Sequence, residues 1–105
     1  MFEEFVQILN DMGRSIHAYQ RCATQAYDKA GTDPDHAAAY LMIAMAAESF
    51  VARNERMPIT ADDVQAAYER FSGHVSRLQE AYETSGTDAR MAALNETATR
   101  IAAER

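Results

Sequence analysis

Apolar residues recur every three or four positions along most of this chain. They fall at Phe2, Phe5, Leu9, Met12, Ile16, Tyr19, Ala23, Ala26 and Ala30, and again at Val64, Tyr68, Phe71, Val75, Leu78 and Tyr82. That spacing puts one narrow apolar stripe on each of two helices and leaves their other faces polar. A run between them, around Tyr40 to Val51, is apolar on nearly every side in its first three turns. A shorter run follows Gly86.

Caps and breakers divide these runs into four helices. The first is predicted over about 2–30, closed by Gly31 as a residue that accepts positive φ. The second is predicted over 33–54, with Thr32 or Asp33 as N-cap and Pro34 at the first helical position. Pro58 blocks its continuation and pushes Met57 to an extended conformation. The third is predicted over 61–85, capped by Thr60, with Asp62 and Asp63 set against the helix dipole. It ends near Ser85–Gly86, and the fourth runs over 88–103 and frays at its end. Gly13 and Gly73 then lie inside helices, each at a cost of ~1 kcal/mol relative to Ala. Gly13 borders the apolar stripe and marks a close approach or a kink, whereas Gly73 falls on an outer face.

The segment from Ala26 to Asp33 echoes that from Ala81 to Asp88, and Ala18–Arg21 echoes Ala67–Arg70, at offsets that differ by six residues. Duplication of a helical hairpin produces such an echo. So does convergence on a glycine stop followed by a Thr/Asp start. On either origin the expected fold is all-α, a single domain of residues 1–105 forming an antiparallel four-helix bundle from two αα-hairpins. A first helix of ~43 Å against a fourth of ~25 Å leaves part of the first stripe uncovered. A homodimer that buries Phe2, Phe5, Leu9 and Met12, with part of the second helix, is therefore expected.

Charge narrows the partners. The net charge is −6, with no basic stripe, and phosphate neutralisation dominates nucleic-acid affinity. Direct nucleic-acid binding is not expected. Arg outnumbers Lys nine to one, a bias that suggests a bacterial source. Glu3 and Glu4 sit where a secretory leader carries basic residues. The longest uncharged apolar run, Ala37 to Ala47, makes about 16 Å of helix, too short for a bilayer core of roughly 30 Å. With Cys22 as the only cysteine, a cytoplasmic location and no membrane association are expected.

No motif carries a recognisable chemistry. His17, His36 and His74 do not cluster and are expected at surfaces or boundaries. No Glu-x-x-His pair marks a di-iron bundle, and Cys22 lacks the close Cys or His that zinc requires. A nucleophilic thiolate also needs a base or an electropositive pocket. There is no phosphate loop and no nucleophile elbow. No enzyme activity, metal or cofactor is expected.

The segment Ala52-Arg53-Asn54-Glu55-Arg56-Met57-Pro58-Ile59-Thr60-Ala61-Asp62-Asp63-Val64, with Ala67 after it, resembles the loop-to-helix step of histone-fold proteins and of the lid domains of AAA-type ATPases. The likeness lies in a helix ending in basic residues and an Ile-Thr-x-x-Asp-Val run opening the next. The chain departs from the first family in having no basic surface and from the second in having no nucleotide-binding loop. No function follows from the resemblance.

The second helix offers the sharpest functional reading. One face holds Tyr40, Ile43, Ala44, Ala47, Phe50 and Val51, while the other holds Leu41, Met42 and Met45. A helix apolar all round is either the buried centre of a bundle or one that presents a partner surface, and Met suits adaptable contacts. The expected function is a non-enzymatic interaction module: a small adaptor, chaperone-like subunit or inhibitor. Its surface would be Leu41, Met42 and Met45, or Phe2, Phe5 and Leu9, with an acidic rim of Asp62, Asp63 and Glu69 that favours a basic protein partner. The alternative is a small-molecule sensor or carrier with a cavity lined by Tyr and Met.

Overall fold

The long first stripe folds as two helices rather than one. The computed structural model describes residues 1–84 and 86–104. The helices are α1 (Glu3–Asp11), α2 (Ile16–Thr32), α3 (Ala37–Asn54), α4 (Ala61–Thr84) and α5 (Thr87–Ala103). Among the described residues there is no strand. The break between α1 and α2 is made by Gly13 at φ +70° and Arg14 at φ +55°. The Arg14 N–H reaches back to the Leu9 carbonyl at 2.7 Å, and the Met12 N–H bonds the Ile8 carbonyl at 3.0 Å. This is a left-handed helix stop of the Schellman kind. Ser15 restarts the helix, its hydroxyl accepting from the Ala18 N–H at 3.2 Å.

Two other boundaries differ from the sequence reading. Gly31 lies inside α2, which continues to Thr32, and its φ is not positive. α3 starts at Ala37 rather than 33. Asp33 to His36 form a turn instead, closed by His36 N–H to Asp33 O at 3.2 Å and by the two side chains at 2.9 Å. The expected stop at Ser85–Gly86 falls partly on Ser85, which lies outside the described residues. By contrast, Thr60 caps α4 as expected: its hydroxyl accepts from the Asp63 N–H at 3.1 Å, and the Asp63 carboxylate reaches back to the Thr60 N–H.

Because the chain reverses at Gly13, α1 folds back across α2. Glu4 pairs with Lys29, and the Cys22 thiol donates to the Phe5 carbonyl at 3.3 Å. On its other side α1 runs antiparallel to α4. The Phe2 N–H donates to Gln79, Asn10 bonds the Tyr68 hydroxyl, and Arg14 bonds Gln65 and covers the Tyr68 ring at 3.5 Å. α2 and α3 form the most extensive helix pair, with Tyr19 stacked on Phe50 at 3.8 Å between centroids. α4 and α5 run antiparallel, tied by Arg90 to the Tyr82 carbonyl and Arg77 to Thr97. One apolar cluster joins residues from all five helices.

This arrangement corrects the reading of Phe2, Phe5 and Leu9. All three are fully buried within the single chain. Phe2 packs edge-on against Tyr40 and Tyr82, and Phe5 against Tyr40. A short α1 that turns back needs no second chain to cover its stripe, and no single helix of ~43 Å forms. Met12, at the turn, stays partly exposed.

Candidate functional site

Two surfaces combine features that packing alone does not account for. The first is the outer face of α3. Seven of its residues are buried, from Ala39 to Phe50. Yet Leu41 is 43% exposed and Met45 47% exposed, while Met42 is half-buried and packs against the core. Ala38, Leu41, Met45, Ser49 and Ala52 follow one another at spacings of three or four, which aligns them along one edge of the helix. Beside this edge, a groove of about 370 Å³ is lined by Tyr27, Met45, Glu48, Ser49, Ala52 and Ile101. The Tyr27 hydroxyl donates to the Glu48 carboxylate at 3.2 Å. Desolvation, and then Glu48, raise its pKa.

The second surface is a polar cleft between α4 and α5. His74 is buried, and its Nε2 lies 3.1 and 3.0 Å from the two carboxylate oxygens of Glu104. Its Nδ1 lies 3.3 Å from Arg77 Nη1. A guanidinium has no acceptor, so in this contact Nδ1 accepts and Nε2 carries the proton donated to Glu104. Arg70 Nε approaches the same carboxylate at 3.4 Å, and Arg53 donates to the Glu104 backbone carbonyl. Arg77 also reaches Thr97 at 3.4 Å and Glu96 at 3.7 Å, and Arg100 pairs with Glu96 at 3.2 Å. A space of about 330 Å³ opens here, lined by Glu69, Arg70, Gly73, His74, Arg77, Arg100, Ala103 and Glu104.

Beside this cleft lies a small, partly open recess of about 10 Å³, lined by Tyr19, Phe50, Arg53, Arg70, His74 and Glu104 among others. That is room for roughly one water. Tyr19 is buried and its hydroxyl has no hydrogen-bond partner. Burial pushes its pKa up to about 12. The Cys22 thiol is also pushed up to about 12 by burial, and is therefore protonated and unreactive in the fold.

The structure does not bring the expected site residues together. Leu41 and Met45 share an exposed edge. Phe2, Phe5 and Leu9 are core. Asp62 and Asp63 are exposed at the start of α4, where Asp63 lines a cleft with Arg53 and Asn54 from the end of α3. Leu41 lies twelve residues earlier on α3 than Arg53, about 18 Å along the axis, whereas Ala52 at the other end of the edge adjoins Arg53. Glu69 lines the α4–α5 cleft and bonds Gln65. His74 is buried rather than at a boundary, and Arg53, Arg70 and His74 all contact Glu104 at the end of α5.

Sequence reasoning missed the cleft. The available signal was Arg70, His74 and Arg77 at spacings of four and three. Their partner Glu104 lies thirty residues beyond His74, which no local pattern reveals. Among the described residues no group of three or more His, Cys, Asp or Glu could hold a metal ion, and no helix is long and apolar enough to cross a membrane. No protein-family model, no curated protein and no solved structure matches the chain.

Proposed function

We propose that this protein is a non-enzymatic interaction module that works through the exposed edge of α3, and that a second copy of the chain occupies that edge in a homodimer. The observation that carries this reading is the exposure of Leu41 and Met45 on a helix whose opposite side is the centre of the core. Two large apolar side chains one turn apart, extended by Ala38 and Ala52, form the kind of contiguous patch that marks an interface. A helix edge is self-complementary across a two-fold axis, because Leu41 of one chain can meet Met45 of the other. Among the described residues Glu48 is the one charged residue lining the adjoining groove, so the edge carries little charge for a chain of net charge −6.

Sedimentation equilibrium tests this. The wild type is expected to dimerise, and the Leu41→Lys, Met45→Lys double variant to be monomeric with unchanged helicity. Met42 is unsuitable for the test, since a half-buried residue against the core reports folding as well as association. A wild type that stays monomeric at high micromolar concentration would defeat the homodimer. A foreign helix bound at the same edge would then be the adaptor form of the reading.

A further inference from the structure

We propose that the α4–α5 cleft is a binding site for a phosphate-sized anion, in which the chain's own Glu104 carboxylate now occupies part of the ligand's place. The cleft is independent of the α3 edge. Arg70, Gly73, His74 and Arg77 lie along one face of α4, and Arg100 and Glu104 face them from α5. Arg53, exposed at the end of α3, lines the small neighbouring recess together with Arg70, His74 and Glu104, so four guanidinium groups from three helices gather around Glu104 in a chain that has only nine arginines. The acids among them are Glu69, Glu96 and Glu104, with Asp63 sharing the adjoining α3–α4 cleft with Arg53 and Arg70, its carboxylate turned to the Thr60 N–H. Glu69 is turned to Gln65, and Glu96 pairs with Arg77 and Arg100.

The donors outnumber what Glu104 uses. Its carboxylate takes the His74 N–H and one long contact from Arg70, while Arg53 reaches only its backbone carbonyl. Guanidinium carries five N–H donors in a planar fork suited to phosphate oxygens. Two further observations point to a ligand. The Tyr19 hydroxyl is buried and unpartnered, and Tyr19 lines the small recess that Glu104 shares with Arg53, Arg70 and His74. Gly73 sits in the middle of a 24-residue helix, and a Cβ built there meets nothing within 4 Å. A glycine that costs helix stability and opens onto a cleft between two arginines leaves room for a group to approach the helix backbone.

A tetrahedral oxyanion at the Glu104 position would accept from His74 Nε2, Arg70 and Arg53, with Arg77 and Arg100 at its outer side. Glu104, one residue past the end of α5, would swing into solvent. Isothermal titration of inorganic phosphate at constant ionic strength, on wild type and on Glu104→Gln, decides this. Saturable binding is expected, several-fold tighter in Glu104→Gln because the competing charge is gone, and strongly weakened in Arg100→Gln and Arg70→Gln. Acetate in place of phosphate separates recognition of any carboxylate from recognition of a phosphoryl group, which is expected to bind tighter. Heat or shifts equal to those of chloride in both wild type and Glu104→Gln would overturn the proposal. So would weaker binding in a folded Glu104→Gln, which would make Glu104 a structural pin and nothing more.

Discussion

The backbone N–H of Arg14 donates to the carbonyl of Leu9 at 2.7 Å, and that bond turns the chain back on itself. It forms only because Gly13 and Arg14 both take left-handed backbone angles. An L side chain at such a position costs roughly 1–2 kcal/mol, and glycine avoids that cost. Everything downstream of the turn follows: α1 covers α2 and α4, and its stripe is spent inside the monomer.

Gly13 and Gly73 should therefore respond to substitution with opposite signs. Gly13→Ala is expected to destabilise by about 1 kcal/mol, because its φ is +70° although space is open around it. Gly73→Ala is expected to stabilise by up to about 1 kcal/mol, because it is helical and unobstructed. Urea melts of both variants check this. A stabilised Gly13→Ala would mean that α1 and α2 run on as one helix in solution.

The buried Phe5 and the exposed Leu41 should separate just as sharply. Phe5→Ala removes a fully buried ring that packs against Tyr40 and is expected to cost about 3–5 kcal/mol, a large share of a stability of roughly 5–15 kcal/mol. Leu41→Ala, on an exposed edge, should stay within about 0.5 kcal/mol of wild type in the monomer. Thermal melts at low concentration measure both. Equal losses would return Leu41 to the core.

Alkaline pH should weaken the fold through Tyr19 and Cys22. Burial raises both groups to about 12 in the folded state, from ordinary values of 10 and 9. The unfolded chain then loses these protons first. Their contribution is complete below pH 9 and is lost as pH climbs from 9 towards 12, each group adding a slope of at most about 1.4 kcal/mol per pH unit. Cys22→Ala should flatten the beginning of that decline. Urea midpoints at pH 7, 9 and 10.5 report it, and a midpoint that does not fall above pH 9 would show the thiol to be solvated.

Much of this fold was legible in the stripes. Helical class, the Thr60 cap and the end of α3 at Asn54 all follow from local spacing and capping chemistry. The Gly13 turn was not, because a glycine bordering an unbroken 3–4 stripe reads equally as kink or stop, and the choice depends on whether α4 is there to receive α1. The α3 edge was half legible: Leu41 and Met45 are exposed, but Met42 is drawn against the core by the helix rotation that packing selects. The cleft was illegible, since Glu104 meets His74 only after the α4–α5 hairpin has closed.

That last pairing carries a prediction of its own about the end of α5. His74 is buried, its Nδ1 engaged by Arg77 and, among the described residues, its Nε2 by Glu104. Glu104→Ala removes the acceptor and leaves a buried N–H with none, a cost of about 1–3 kcal/mol. Arg53 still holds the Glu104 backbone carbonyl, so the loss should be local rather than global. Amide exchange is expected to quicken through the last turn of α5, around Arg100 to Ala103, while α2 and α3 keep their protection. His74→Phe in the same background should recover part of the stability, because an apolar ring needs no acceptor. If exchange in α5 is already fast in the wild type, the Glu104 contacts do not hold the helix end, and neither the local loss nor its recovery would appear.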